Sequence, residues 1–214
     1  MKKTFLVITA AILLGAGTSS AQDEKNPAKK DDNIKTLFGN KSLSHGGYAS
    51  LSVGYSEVND KNAYNTGFRG AWIIGHTFAI GIGACGFSND LNIDNVPGAH
   101  EYGLRGGYGG LLMEPILLPK FPVHLSFPIL LGAGGVEYVN SYYNDNFDRF
   151  TYVEDSDAFF VAEPGVELEM NLLKFVRLAI GASYRFTKDV NIENEKHDVL
   201  NGYNFGLALK FGKF

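Results

Sequence analysis

The sequence predicts an all-β chain, folded as an eight-stranded antiparallel up-and-down transmembrane β-barrel. Three observations carry that prediction. Apolar and polar residues alternate with period two in eight separate segments. The connections between those segments alternate between short and long. The faces opposite the bulky apolar ones consist mainly of Gly, Ala and Ser, with charges of both signs. Composition agrees: 26 Gly, 16 Phe and 11 Tyr suit tight turns and ring-covered sheet. With 45% hydrophobic and 20% charged residues the chain is not a disordered one. A formal net charge of −4 argues against nucleic acid as a partner.

Residues 1–21 read as a signal peptide. Lys2 and Lys3 precede the apolar run "TFLVITAAILLGAG", and Ser19 and Ala21 supply small residues for cleavage before Gln22. Removal of this segment takes two lysines and no acid from the 19 basic residues. That leaves 17 against 23 acids, a net −6. Cys85 is the single cysteine, so no internal disulfide can form. Residues 22–44, "QDEKNPAKKDDNIKTLFGNKSLS", are charged and lack alternation. They read as a flexible N-terminal segment, and residues 45–214 as the barrel.

Eight alternating segments follow. In the first, 47–58, Ala49, Leu51, Val53 and Tyr55 oppose Ser50, Ser52, Gly54 and Ser56. In the second, 65–74, Phe68, Trp72 and Ile74 oppose Arg69 and Ala71. The third, 77–87, sets Phe78, Ile80, Ile82 and Ala84 against Gly81 and Gly83. In the fourth, 101–113, Tyr102, Leu104, Tyr108 and Leu112 are assigned to the apolar face, against Glu101, Arg105 and three glycines. The fifth, 123–139, groups Val123, Leu125, Phe127, Ile129 and Leu131 against His124, Ser126 and Gly132, with a bulge expected in "GAGGVEY". The sixth, 158–170, sets Phe160, Ala162, Val166, Leu168 and Met170 against Glu163, Glu167 and Glu169. The seventh, 176–186, sets Leu178, Ile180 and Phe186 against Arg177, Ser183 and Arg185. The eighth, 200–214, sets Tyr203, Phe205, Leu207, Leu209 and Phe211 against Asn204, Gly206, Ala208 and Lys210.

The turns at 75–76, 118–122 and 171–174 are short; the connections 57–64, 88–100, 140–157 and 188–199 are longer and polar. Short turns at one end and long loops at the other are the layout of a bacterial outer-membrane barrel, with periplasmic turns and extracellular loops. The two faces then need opposite surroundings. Bulky residues face lipid. The small face lines a narrow lumen filled by side chains. There Arg69, Arg105, Arg177, Arg185 and Lys210 can pair with Glu101, Glu163, Glu167 and Glu169, because charges in such a space must be paired. Pro128 and Pro164 lack an N–H for the ladder and are expected at bulges or beyond the hydrogen-bonded band.

The signal peptide, the eight segments, the alternating connections and the terminal Phe214 resemble small outer-membrane barrels of the OmpA/OmpX type. "YGLRGGYGG" and "DSDAFFVAEPGVELEMNLLKFVRLAIGASYRF" look like uncharacterised outer-membrane barrels of Bacteroidetes-like bacteria. The resemblance implies residence in the outer membrane, contact with its lipids and assembly by the barrel-assembly machinery. It also implies a structural or surface-interaction role, through an extracellular ligand of loops 88–100 and 140–157. In that family the last aromatic is often in phase with the lipid-facing positions. Phe214 has the opposite parity to Phe211.

Two other readings are kept. "VHLS" places His124 and Ser126 on one face, with Glu137 later in the strand, and resembles the His-x-Ser…Glu arrangement of lipid A deacylases. Such an enzyme would use the three as catalytic residues. Their lumen parity and position beside a short turn argue against it. The other is a soluble periplasmic barrel holding an apolar ligand. No metal or cofactor is expected. The acids Asp145, Asp148, Glu154, Asp155 and Asp157 lack the spacing of a twelve-residue calcium loop, and "GLRGGYGG" lacks the helix a phosphate loop needs.

Overall fold

The computed structural model describes residues 44–59, 61–89, 100–143, 148–188, 190–192 and 198–214. The signal peptide and nearly all of segment 22–44 lie outside the described residues. The strands are β1 (His45–Val58), β2 (Lys61–Ile74), β3 (Phe78–Ser88), β4 (His100–Leu117), β5 (Val123–Ser126), β6 (Ile129–Tyr143), β7 (Arg149–Leu173), β8 (Val176–Lys188) and β9 (Gly202–Lys213). All pairings are antiparallel. The order β1–β2–β3–β4–β6–β7–β8–β9 returns to β1, so the sheet closes on itself. β5 continues β6 between β4 and β7. The ring is therefore eight-stranded. Closure removes the edges that an open sheet would expose within a bilayer.

The fifth segment appears as two strands because Phe127 and Pro128 interrupt its ladder. Its register against β4 and β7 runs unbroken across the gap. Pro128 lies in the gap of the ladder between β5 and β6, with no register shift there. Gly165 N–H donates to the Pro128 carbonyl at 2.8 Å, and Ile129 lies opposite Pro164. The two prolines are thus neighbours across β6 and β7. Their missing donors fall on different ladders: that of Pro128 interrupts the pairing with β7, and that of Pro164 faces β8, where pairing lapses between Ala162 and Gly165. The shift expected within 132–138 lies at its end, between Tyr138 and Val139, with the extra residue, Glu154, on β7.

Two connections differ from the sequence reading. Segment 57–64 is not a long loop: β1 and β2 run on to Val58 and Lys61, and Asn59 takes φ 54° in the tight turn. Segment 140–157 is mostly strand, since β6 runs to Tyr143 and β7 begins at Arg149. β-Branched and aromatic residues there outweigh the polar composition that suggested a loop. The short turn after β2 follows expectation: Gly75 and His76 have φ of 60° and 62°, and the Thr77 N–H donates to the Ile74 carbonyl at 3.3 Å.

Large apolar side chains cover the outside. Leu51, Ile82, Phe160 and Tyr203 are each 60% exposed or more. So many exposed Leu, Ile and Phe side chains require hydrocarbon rather than water. Around β3, β4 and β6 this cover stops early along each strand. Beyond Ile82, Leu111 and Leu131 the outward positions are Ala84, Gly86, Gly107, Gly109, Ala133 and Gly135, leaving a shallow depression in the wall.

Candidate functional site

The inward faces converge on a narrow lumen, and its chemistry is layered. Near the short-turn end, β9 projects Lys210 inward. Its Nζ lies 2.6 Å from Glu114, 2.8 Å from Glu167 and 2.7 Å from Glu169. Glu167 also pairs with Arg69 at 2.5 Å. The second oxygen of Glu169 meets Arg177 at 3.1 Å and His124 Nε2 at 3.0 Å. The Tyr48 hydroxyl donates to Glu114. Three carboxylates thus share three fixed cations in one connected group, the condition under which buried charge is tolerable. The three carboxylates also make the set of oxygens that could bind a metal ion. The Lys210 ammonium, within 2.8 Å of each, already supplies the positive charge there.

Further toward the loops, Glu163 accepts from Tyr108 at 2.5 Å, Ser183 at 2.5 Å and Asn204 at 3.0 Å. A cavity of about 80 Å³ separates it from the Arg69–Glu167 pair, lined also by Ser52, Asn65 and Asn204. It has room for several water molecules. Arg185 is fully buried. Its Nε donates to the Leu200 carbonyl at 2.6 Å, and its guanidinium lies 4.8 Å from the Phe87 ring centroid. Above it the mouth is filled by apolar side chains. Val190, Ile192, Val199 and Leu200, from the β8–β9 connection, pack with Val58 and Phe159. That connection was expected to be a polar loop; its apolar residues turn inward instead.

The charged residues expected in the lumen divide as follows. Arg69, Glu163, Glu167, Glu169, Arg177, Arg185 and Lys210 all lie on the inward face. Arg105 does not. It sits on the outer wall, 44% exposed, and pairs with the equally exposed Glu137 at 2.8 Å. The phase of β4 is the reverse of the sequence assignment: Leu104, Tyr108 and Leu112 point inward, while Leu111 and Leu117 point out. The glycines on both faces of "YGLRGGYGG" hide the period. Glu114, at the parity of Tyr108 and Leu112, carried the signal. The Glu101 side chain lies outside the described residues.

His124 and Ser126 are both buried on the inward face. Both His124 ring nitrogens are engaged, Nε2 with Glu169 and Nδ1 with the Phe121 carbonyl at 3.3 Å. Among the described residues Ser126 Oγ has no hydrogen-bond partner. Glu137 faces the other way, beside Arg105. The three candidate catalytic residues are not brought together. Phe214 follows its own parity. It stacks on Tyr48 with centroids 6.3 Å apart and carries the Arg177 guanidinium 3.9 Å above its ring.

No protein-family model matches the sequence, and no curated protein matches it by sequence. Solved structures do match in fold. Neisserial surface protein A (NspA) aligns with a TM-score of 0.52 at 10% identity, over 81% of this chain and 100% of its own. A major outer membrane protein from Thermus thermophilus aligns with a TM-score of 0.50 at 12% identity, over 79% and 99%. Ail, the attachment invasion locus protein of Yersinia pestis, aligns with a TM-score of 0.48 at 14% identity, over 78% and 98%. The fold is that of the small bacterial outer-membrane β-barrels.

Proposed function

We propose that this chain is an integral outer-membrane β-barrel with a closed lumen, acting in envelope structure or in surface interaction. Residues 1–21 are removed on export, 22–44 form a periplasmic segment and 45–214 form the barrel. The observation that carries the reading is the polarity of the wall. Large apolar side chains stand exposed on the outside while an ion-paired network occupies the inside. A soluble barrel with an apolar ligand needs the reverse. An acyl-hydrolase reading finds no support in the separate engagements of His124 and Ser126. Partners on this reading are outer-membrane lipids, the barrel-assembly machinery and an extracellular ligand at the loop end.

Cell fractionation combined with a heat-modifiability gel tests it. The expected result is recovery in the outer membrane, with a folded band that shifts only after boiling. Recovery in the soluble periplasmic fraction overturns the reading.

A further inference from the structure

The short-turn rim carries one sign of side-chain charge along an arc. Lys120 lies in the turn between β4 and β5, Lys174 in the turn between β7 and β8, and Lys213 at the end of β9, and all three are exposed. Residues 115–136, 170–188 and 199–214 contain no acidic side chain. Glu114 and Glu169, which flank the first two stretches, point into the lumen and are paired there with Lys210 and Arg177. The pairing order makes the three lysines neighbours: β5 lies beside β7, β7 beside β8 and β8 beside β9. The Asn171 N–H donates to the Pro122 carbonyl at 2.8 Å, and its side-chain amide donates to the Phe121 carbonyl at 2.9 Å. The Gly212 N–H donates to the Phe175 carbonyl at 3.0 Å. The two turns and the end of β9 are thus tied into one strip. Strands about 4.8 Å apart set neighbouring turns about 10 Å apart. That is close to one Debye length at physiological salt, so the fields of the ammonium groups overlap.

The lysines of the two turns stand among large apolar side chains. Leu117, Leu118 and Phe121 accompany Lys120, and Leu172, Leu173 and Phe175 accompany Lys174; each is more than half exposed. Leu117 and Leu118 are consecutive, so alternation along a strand does not account for both. Leu118 also takes φ 54°, the left-handed region in which Gly or Asn is usual. A register shift between Asn171 and Leu173 accompanies the joint exposure of Leu172 and Leu173. By contrast, Gly75 and His76 make the turn between β2 and β3 without a Leu or Phe. The apolar residues of the arc continue the greasy outer wall around the turns themselves.

Charge and greasiness together select the occupant. A soluble polyanion would meet the lysines and leave six large apolar side chains in water. A zwitterionic lipid would cover those side chains and bring no net charge to the ammonium groups. An anionic phospholipid does both, with its phosphate beside a lysine and its acyl chains against the leucines and phenylalanines. We propose that the arc formed by residues 117–121, 172–175 and Lys213 is a binding site for anionic phospholipids. The inference rests on the outer-membrane reading, which sets this rim in the periplasmic leaflet.

The test uses the full-length mature protein in lipid vesicles. Trp72, the single tryptophan, is replaced by Phe, and Phe175→Trp places one indole in the arc. Its quenching by brominated phosphatidylglycerol is compared with that by brominated phosphatidylcholine. The expected result is a preference of about threefold or more for phosphatidylglycerol at low salt, falling toward unity as salt is raised. Lys120→Gln, Lys174→Gln and Lys213→Gln combined should abolish the preference while the folded gel band persists. Lys61→Gln with Lys188→Gln, at the loop end, should leave it unchanged. Equal quenching by the two lipids overturns the proposal. So does a preference that survives the triple substitution, which would assign it to the lysines of residues 22–44. Lysine-dependent binding to isolated peptidoglycan without lipid selectivity overturns it as well, by assigning the arc to a wall polymer. Fractionation reports on membrane residence separately, so the two readings fail independently.

Discussion

Lys210 is the residue on which the lumen depends most. Its ammonium is buried and touches three carboxylates, so its removal leaves Glu114 without its paired cation and leaves Glu167 and Glu169 with one arginine each. Lys210→Met should lower stability by about 3–5 kcal/mol, the usual result of breaking a buried ionic group from one side. Urea unfolding of the barrel in lipid vesicles measures it. The exposed pair Arg105–Glu137 gives the contrast: Arg105→Gln should cost less than about 1 kcal/mol in the same assay. Ser126→Ala should leave stability within about 0.5 kcal/mol, because its hydroxyl oxygen makes no hydrogen bond that the substitution would break. Much of this chemistry is legible in the sequence, because strict alternation along β7, β8 and β9 puts Glu163, Glu167, Glu169, Arg177, Arg185 and Lys210 on one side. Glu114 and Tyr48 are less visible. Glu114 sits in an apolar run where it reads as an interruption, and Tyr48 is one ring among many. The Tyr48–Glu114 and Glu114–Lys210 contacts cross 66 and 96 positions of sequence, which no local pattern encodes.

At the scale of elements, β4 shows where alternation stops being informative. Gly103, Gly106, Gly107, Gly109 and Gly110 fall on both faces, so the apolar residues between them fit either phase. Packing decides the phase: Tyr108 reaches Glu163, and Leu112 joins Ala71, Ile73 and Ala79 under the short-turn end. The inward glycines have their own requirement. Gly110 and Gly132 are cross-strand partners, and a Cβ on Gly132 would sit 2.1 Å from the Gly109 carbonyl oxygen. Gly132→Val should therefore force β4 and β6 apart, at a cost of about 1–3 kcal/mol. On the outer face of the same strand, a Cβ on Gly135 meets nothing closer than 3.8 Å. Gly135→Ala should be tolerated within about 0.5 kcal/mol. Unfolding midpoints of the two variants, measured side by side, check both expectations. The extension of β6 and β7 over most of 140–157 was hidden for a different reason. Its Asn, Asp and Ser residues have the composition of a loop, while its register comes from the ring beneath it.

For the molecule as a whole, closure into a ring agrees with an even number of alternating segments whose connections are alternately short and long, and both are visible in the sequence. The inside–outside assignment also follows, because small residues and paired charges fit a narrow interior and bulky ones do not. The seal at the loop-end mouth does not follow. Val190, Ile192, Val199 and Leu200 lie in a stretch whose charged neighbours mask them, and only the curvature of the ring brings them over Arg185. With an ionic layer below and an apolar one above, single-protein conductance in planar bilayers should stay near baseline. A stable current of porin size would contradict it.

The early end of the bulky cover on β3, β4 and β6 bears on the surrounding membrane. β9 presents five successive large outward residues, Phe211, Leu209, Leu207, Phe205 and Tyr203, whereas β3 presents three, Phe78, Ile80 and Ile82. Two alternate positions span roughly 13 Å along a strand. Acyl chains therefore meet a tall greasy flank on one side and a low one on the other. The cylinder leans toward its low flank, or the leaflet dips there, and a dipped leaflet brings lipid headgroups down to the level of Arg105 and Glu137.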